Sequence, residues 1–201
     1  MRPLLVDQFN RPVLRASGGY EGAMMQRRLK AFVPSRQSIN SLLSHAGDNL
    51  VARSHYVVRN NPYARNAKRS FKANLVGMGI KPYSQVRDRE LRQDIHTLWN
   101  RWLNEADADG TTSFYGLQTM IAAALWESGE CFVRLRPRRI SDGLSVPLQL
   151  QLIESEQLPL SKNELARNGN EIRSGIEFNR ISRRVAYHFL RQHPGDNLIR
   201  Q

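Results

Sequence analysis

The chain has 201 residues, of which 40% are hydrophobic, and a formal net charge of +12. This length and hydrophobic content exclude wholesale disorder and allow one or two domains with a buried core. The single cysteine excludes an internal disulfide, and the longest apolar run, residues 120–126, is too short to span a bilayer. Because the N-terminus also lacks the features of a signal peptide, we expect a soluble intracellular protein without a membrane partner.

The positive charge is concentrated in the first part of the chain. Residues 1–84 contain 14 Lys+Arg and 3 Asp+Glu, whereas residues 85–201 contain 16 and 15. Most of the basic residues are arginines, which bind carboxylates and phosphates through paired hydrogen bonds. A basic segment joined to a balanced body indicates a polyanionic partner, an acidic protein surface or an assembly contact.

Residues 1–35 predict an extended or mobile basic arm, because they contain three prolines and a Gly-Gly pair and show no sustained period. Apolar residues then recur at helical spacing over residues 38–58, which predicts a first helix. Asn61 is a good N-cap for a second helix, with Pro62 at its first position. Gly77 and Gly79 are expected to end that helix.

A basic stripe is predicted on the second helix. Four cations follow the spacing i, i+3, i+4 and i+7, which places them on one helix face: Arg65, Lys68, Arg69 and Lys72. Another face carries Ala64, Ala67, Phe71 and Leu75. Few acidic residues are close in sequence, so phosphate contact and pairing within the protein both stay open.

Two further helices are expected. The third covers about residues 86–103, and its predicted inward residues are Leu91, Ile95, Leu98 and Trp102. The fourth begins at Thr112 or Ser113 and ends at Gly129. Its predicted buried residues are Phe114, Leu117, Ile121 and Leu125.

From residue 130 the pattern changes to a period of two, which is typical of strands. Cys131, Val133 and Leu135 are expected to face inward, and a second alternating run covers residues 148–152. Residues 176–179 and 185–190 predict a hairpin closed around residues 180–183. Helices over about residues 38–129 followed by strands over about 130–191 predict an α+β fold with a mainly antiparallel sheet.

The strand region has two groups of arginines, namely Arg134, Arg136, Arg138 and Arg139, and the pair Arg183 and Arg184. They can form a solvated face or pair with Glu154, Glu156 and Glu177 within or between subunits, or they can contact phosphate. The first interpretation is favoured because acids are near in sequence. Aromatic residues do not interleave with the basic segments, which weakens a model of single-strand stacking.

Catalytic and metal sites are poorly supported. Residues 105–110 begin like a calcium loop, but the position that needs a bidentate Glu is Gly116, so an acidic turn that caps the next helix is favoured. Cys131 with His188 could form a nucleophile and base, but no motif supports the pair. We therefore expect no catalytic residue, no cofactor and no metal.

Ten segments, taken in order, resemble the portal proteins of lambda-like tailed phages and prophages. They are residues 59–64 (RNNPYA), 74–82 (NLVGMGIKP), 98–102 (LWNRW), 105–110 (EADADG), 114–118 (FYGLQ), 127–136 (ESGECFVRLR), 147–152 (PLQLQL), 175–178 (GIEF), 183–187 (RRVAY) and 193–196 (HPGD). Each is weak alone. Their order and spacing from about residue 20 onward carry the resemblance.

The resemblance implies a structural protein of the phage head. Such proteins form a ring, usually of twelve subunits, at one capsid vertex, and the terminase motor threads double-stranded DNA through it. It also implies capsid, scaffold and head-completion proteins as partners, and a location in the virion and, during assembly, in the host cytoplasm. Family members are longer, so residues 36–201 would correspond to an N-terminal, wing-like region, with the stem, clip and channel beyond it.

Two other classes of function stay open on the residues alone. The first is a stand-alone basic module that binds nucleic acid through the stripe on the second helix. The second is a cysteine-dependent enzyme, for which Cys131 would be required. Non-specific contact of the basic surface with the DNA backbone is compatible with either a portal or a binding module.

Overall fold

The computed structural model describes Ala31 and residues 36–196. Within this part, helices come first, and they are α1 (Ile39–Asn60), α2 (Pro62–Leu75), α3 (Arg89–Trp102) and α4 (Phe114–Glu127). Strands follow, and they are β1 (Phe132–Pro137), β2 (Leu148–Ile153), β3 (Glu164–Leu165), β4 (Glu171–Arg173), β5 (Ile176–Phe178) and β6 (Arg184–Tyr187). This order confirms the predicted α+β class. The expected arm, apart from Ala31, lies outside the described residues.

The helix starts follow from side-chain caps. The Asn61 side chain accepts hydrogen bonds from the backbone N–H groups of Tyr63 and Ala64, and Pro62 occupies the first turn, as predicted. Helix α3 begins three residues later than expected because the Asp88 side chain caps it. Ser113, one of the two predicted caps, accepts a hydrogen bond from the Gly116 backbone N–H at 3.4 Å.

The strands form two antiparallel sheets. Strands β1 and β2 pair in register from Phe132 with Ile153 to Pro137 with Leu148. The other sheet has the order β3-β4-β5-β6, so each strand pairs with its neighbour in sequence. The predicted hairpin around residues 180–183 is present as β5 and β6. Strands β3 and β4 are not predicted from the sequence, because each is too short to show a period.

The hydrophobic core holds helices α3 and α4 against strand β2. Trp102, Ala106 and Leu117 are buried, and Leu150 and Leu152 pack against them. The Trp102 indole N–H donates to the Leu148 carbonyl at 2.7 Å. The Trp102 ring also packs against the rings of Trp99 and Phe114. The hairpin is therefore held to the helices by both apolar packing and a directed hydrogen bond.

Several residues that were expected to face inward are exposed, and these predictions are wrong. On α3, Leu91, Ile95 and Leu98 are 51%, 38% and 44% exposed, while Trp102 is buried as expected. The reason is that α3 packs through the tryptophans of its last turns, so its first turns leave their apolar face in water. On α4, Leu117 is buried, but Leu125 is exposed.

Strand β1 shows the same outcome. Val133 and Leu135 pair across the hairpin with Leu152 and Leu150, so the predicted alternation is right. Yet Val133 and Leu135 are exposed, because the core residues cover only the β2 side of that face. Cys131 is half-buried rather than enclosed.

The β4–β5 connection is a two-residue turn, Ser174-Gly175, in which both residues have positive φ, 49° and 76°. Positive φ strains a serine more than an asparagine. We expect Ser174→Asn to raise the free energy of unfolding by about 0.5 kcal/mol, measured by urea unfolding. Ser161→Asn, at an exposed turn without positive φ, is the control and should change it little. An equal change in both variants would contradict the prediction.

Candidate interface residues

The four cations of the basic stripe on α2 differ in their contacts and exposure. Lys68 is half-buried, and its Nζ lies 2.5 Å from Glu127 Oε1 on α4. The Arg65 guanidinium donates to the Arg59 carbonyl. Arg69 is exposed, and Lys72 is half-buried. Lys68 is therefore engaged in packing α2 on α4, and the stripe does not present four equivalent free cations.

Arg134 and Arg136 of β1 lie on the face of the hairpin that points away from the tryptophan core, and Arg138 directly follows this strand. Arg136 Nη1 donates to Gln151 Oε1 at 2.9 Å, and Arg138 Nε donates to Gln149 Oε1 at 2.8 Å. The side chain of Arg134 is exposed. Arg136 and Arg138 are thus ordered by neutral amides, which leave their positive charge uncompensated.

Arg139, Arg183 and Arg184 are exposed; Arg139 and Arg183 lie in connecting segments, and Arg184 begins β6. The Arg139 backbone N–H donates to Asp142 Oδ2 at 2.9 Å, beside a short 3₁₀ turn. The Arg183 backbone N–H donates to Asn179 Oδ1 at 2.9 Å, which closes the β5–β6 turn. In both cases the backbone is fixed while the guanidinium lies toward solvent.

The acids named as candidate partners of these arginines contact histidines in the described part of the chain, so the arginines form the solvated face of the favoured interpretation there, and pairing between subunits stays a prediction. Glu156 Oε1 lies 3.3 Å from His55 Nδ1, and the other ring nitrogen of His55 lies 3.0 Å from Ser128 Oγ. Glu154 Oε2 lies 3.9 Å from His193 Nε2. The physical reason is that the fold brings these histidines, distant in sequence, to the same side as the acids.

Glu177 of β5 is a buried carboxylate, 7% exposed, with three side-chain partners. It accepts from Asn168 at 2.9 Å and Asn170 at 2.7 Å, and its other oxygen lies 2.9 Å from His188 Nε2. The Asn168 and Asn170 hydrogen bonds, followed by that of His188, lower the pKa of Glu177 from 4.5 to about 2. His188 therefore belongs to this network rather than to Cys131.

This network predicts acid sensitivity. Because the folded pKa of Glu177 lies below its unfolded value, its contribution is complete above pH 4.5 and is lost as the pH falls toward about 2. We expect Glu177→Gln to be less stable than wild type at pH 7 and to lose less stability across this window. Urea unfolding at several pH values measures both. Glu171→Gln, at an exposed position of β4, should keep the wild-type pH profile; a flattened profile there would contradict the assignment.

The structure places the remaining candidates in structural roles. Asp107, in the segment that begins like a calcium loop, is buried and accepts hydrogen bonds from Asp109, Thr111 and Thr112. It thus organises the turn that leads into α4, in agreement with the favoured interpretation. Burial, and after it the charge of Glu154, raises the pKa of the Cys131 thiol, which disfavours the nucleophilic thiolate.

Among the described residues, no group of His, Cys, Asp and Glu has the arrangement needed to hold a metal ion. In the same part of the chain, no helix is both long and apolar enough to cross a bilayer. No sequence pattern indicates the carboxylate–histidine contacts. Sequence reasoning also misses an aromatic cluster in which Phe132 packs against Tyr187 and Phe189, with ring centroids 5.7 and 5.0 Å away.

Comparison with known proteins agrees with the resemblance of the ten segments. The chain is similar to a "Probable portal protein" of Halomonas phage phiHAP-1, with 29% identity over 179 residues. The match covers 78% of this chain and 33% of that protein, so the chain spans about a third of the length of this curated relative. The family model for the phage portal protein, lambda family, matches residues 25–201. Because this match covers most of the sequence, the chain belongs to the lambda family of phage portal proteins.

Proposed function

We propose that this chain is a structural, non-catalytic part of a portal ring, which assembles with copies of itself at one vertex of the phage head. In this role it takes part in head assembly and in the packaging or passage of double-stranded DNA. Residues 36–201 form the wing-like region, and residues 1–35 are the arm that contacts capsid, scaffold or neighbouring subunits. The proposed location is the virion, after assembly in the host cytoplasm.

The observation that carries this proposal is the balance of buried and exposed apolar side chains. In the described part of the chain, eight hydrophobic residues are buried, whereas 25 large hydrophobic residues are exposed. A chain of this size that acts alone buries a larger share of its apolar side chains. This imbalance supports a subunit whose surfaces are covered by other chains.

The exposed apolar residues are arranged in rows, as expected of contact surfaces. On α3, Leu91, Ile95 and Leu98 follow the spacing i, i+4 and i+7 and so share one helix face. On α1, Leu43, Leu50 and Val57 are exposed and spaced by seven residues. We assign these two rows, the α3 row and the α1 row, to contacts between neighbouring subunits.

The exposed arginines are proposed as polar contacts around these rows. Arg65 and Arg69 on α2, together with Arg183 and Arg184 at the β5–β6 turn, would bind acidic groups of a neighbouring subunit or capsid protein. Contact with the DNA backbone is their second proposed use. Terminase and head-completion proteins would bind parts of portal subunits that this chain does not span.

The experiment that tests this proposal is light scattering of the chain over a range of protein and salt concentrations. We expect a discrete ring-sized oligomer for the wild type. The double substitution Ile95→Asp and Leu98→Asp should shift the mass toward the monomer, because it places charges in the α3 row. The control, Thr97→Asp, adds a charge at an exposed polar position of the same helix and should leave the mass unchanged. A wild-type monomer at every concentration would overturn the proposal.

A stand-alone module that binds duplex nucleic acid is the second candidate function. The surplus of positive charge in residues 1–84 and the exposure of Arg65 and Arg69 favour it. The pairing of Lys68 with Glu127 weighs against it, because it removes one cation from the stripe. Charge reversal at Arg65 and Arg69 should reduce the salt dependence of duplex binding by about 2 on the log–log slope if this function holds. An unchanged salt slope would exclude the basic stripe as the surface that binds the duplex.

A further inference from the structure

A groove with a volume of about 870 Å³ lies between the β1–β2 hairpin and the segment that follows β6. Phe132 and Arg134 of β1 line it together with their cross-strand partners, Ile153 and Gln151, so most of the hairpin residues in its lining belong to one face. The opposite face of the hairpin packs on the tryptophan core. No residue that lines the groove is Asp or Glu. The groove is therefore open, its hairpin is held in place by packing on the core, and no acidic residue lines it.

An aromatic cluster lines part of the groove. Tyr187 and Phe189 are two residues apart, and their rings stack with centroids 6.1 Å apart and an interplanar angle of 12°. Phe132 meets Phe189 edge-on at 5.0 Å. Tyr187 is 41% exposed, so the cluster is held together by ring contacts while part of it is accessible from solvent. Such an arrangement presents a flat apolar surface to a ligand.

Three arginines line the groove together with the aromatic cluster. Arg136 is fixed by its hydrogen bond to Gln151 at 2.9 Å. Arg134 and Arg191 also line the groove, and among the described residues neither guanidinium has a hydrogen bond or an ion pair. Arg134 and Arg136 are two positions apart on one strand face, a separation of about 7 Å. Two uncommitted arginines and one ordered arginine thus line the same groove.

We propose that this groove binds a segment of single-stranded nucleic acid. Its bases would stack on the Tyr187 ring and its phosphates would bind Arg134, Arg136 and Arg191. Single strands combine both features in every repeat, since each nucleotide carries a flat base and a negative charge. An acidic peptide complements only the arginines, and a duplex keeps its bases stacked internally. No residue of the α1 row or the α3 row lines the groove.

The test is fluorescence anisotropy of the full chain with a labelled oligothymidylate of about 15 nucleotides. We expect Tyr187→Leu to weaken binding by about 5- to 100-fold, because it removes the stacking surface, and Tyr187→Phe to retain binding. Arg134→Gln and Arg191→Gln should each reduce the salt slope by about 0.7. Arg184→Gln is the matched control, because it removes one exposed charge from the strand that carries Tyr187, outside the groove lining.

Each other outcome overturns the proposal. Absence of binding, wild-type affinity of Tyr187→Leu, or equal effects of Arg184→Gln and Arg134→Gln would show that the groove is not the site. Equal affinity for a matched duplex would mean that binding comes from electrostatic contact with the phosphate backbone and not from base stacking. Full competition by a glutamate-rich peptide would make it a peptide groove. Circular dichroism shows whether each variant is folded. If Tyr187→Leu is unfolded, the salt slope of Arg191→Gln, compared with that of Tyr187→Phe, decides whether the groove is the binding site.

Discussion

The substitution Trp102→Ala is expected to lower the free energy of unfolding by about 3–5 kcal/mol. The Trp102 ring is 7% exposed and lies at the centre of the buried cluster with Ala106 and Leu117. Its removal leaves a cavity between the helices and β2. It also removes the indole N–H that donates to the Leu148 carbonyl at the start of β2. The loss of stability therefore combines lost packing with a partly buried carbonyl that loses its donor.

Urea unfolding followed by far-ultraviolet circular dichroism measures this loss. Trp102→Phe separates its two parts, because it keeps an aromatic ring but has no N–H donor, and its loss should be smaller, about 1–3 kcal/mol. Trp126→Ala is the control for removing an indole. Trp126 is 41% exposed and packs on Phe71 at the helical surface. If Trp126→Ala and Trp102→Ala destabilise the chain equally, the core is not centred on Trp102.

The second large effect is expected for Asp107→Ala, a loss of about 2–4 kcal/mol. The Asp107 carboxylate is 4% exposed. It accepts from the backbone N–H groups of Asp109, Thr111 and Thr112 at 3.1, 2.8 and 3.0 Å, and from the Thr111 hydroxyl at 2.8 Å. Burial raises the pKa of Asp107, but the hydrogen bonds, led by that of Thr111, outweigh it and lower the pKa overall. Alanine would leave these donors without an acceptor.

Asp107→Asn refines this prediction. It keeps the shape of the side chain but turns one oxygen into a donor that would face the N–H groups of the turn, so most of the loss should remain. Asp109→Asn, at an exposed position two residues later, should stay within about 0.5 kcal/mol of wild type. Thermal and urea unfolding compare the three variants. A wild-type stability for Asp107→Asn would mean that the charge does not organise this turn.

Much of the fold could be predicted because its signals are local. The caps at Asn61 and Ser113, the proline after Asn61 and the alternation of β1 and β2 each act over a few residues. These determine where elements begin and end. The turn Ser174-Gly175 is a local signal of the same kind, since Ser-Gly pairs are typical of turns, but the strand prediction does not use it and misses β4.

The burial of each face could not be predicted in this way, because it depends on what packs against it. The helical period fails as a guide to burial on α3, where Ile95 and Trp102 share a face but only Trp102 meets the core. The candidate interface residues show the same limit. The partners of Lys68 and Arg136, and the meeting of Phe132 with Phe189, join positions far apart in sequence. Such contacts follow from the tertiary fold alone.

The exposed rows on α1 and α3 have a consequence for the life of the chain in the cell. Apolar side chains that stay in water are the features that chaperones bind and that lead to aggregation, and unfolded or unassembled chains are removed by proteases. Until another molecule covers Leu43, Leu50, Ile95 and Leu98, chaperone binding, aggregation and proteolysis compete with assembly of the chain. On the proposed assignment of these rows to contacts between subunits, we expect an excess of the chain over its partner subunits to be degraded rather than stored.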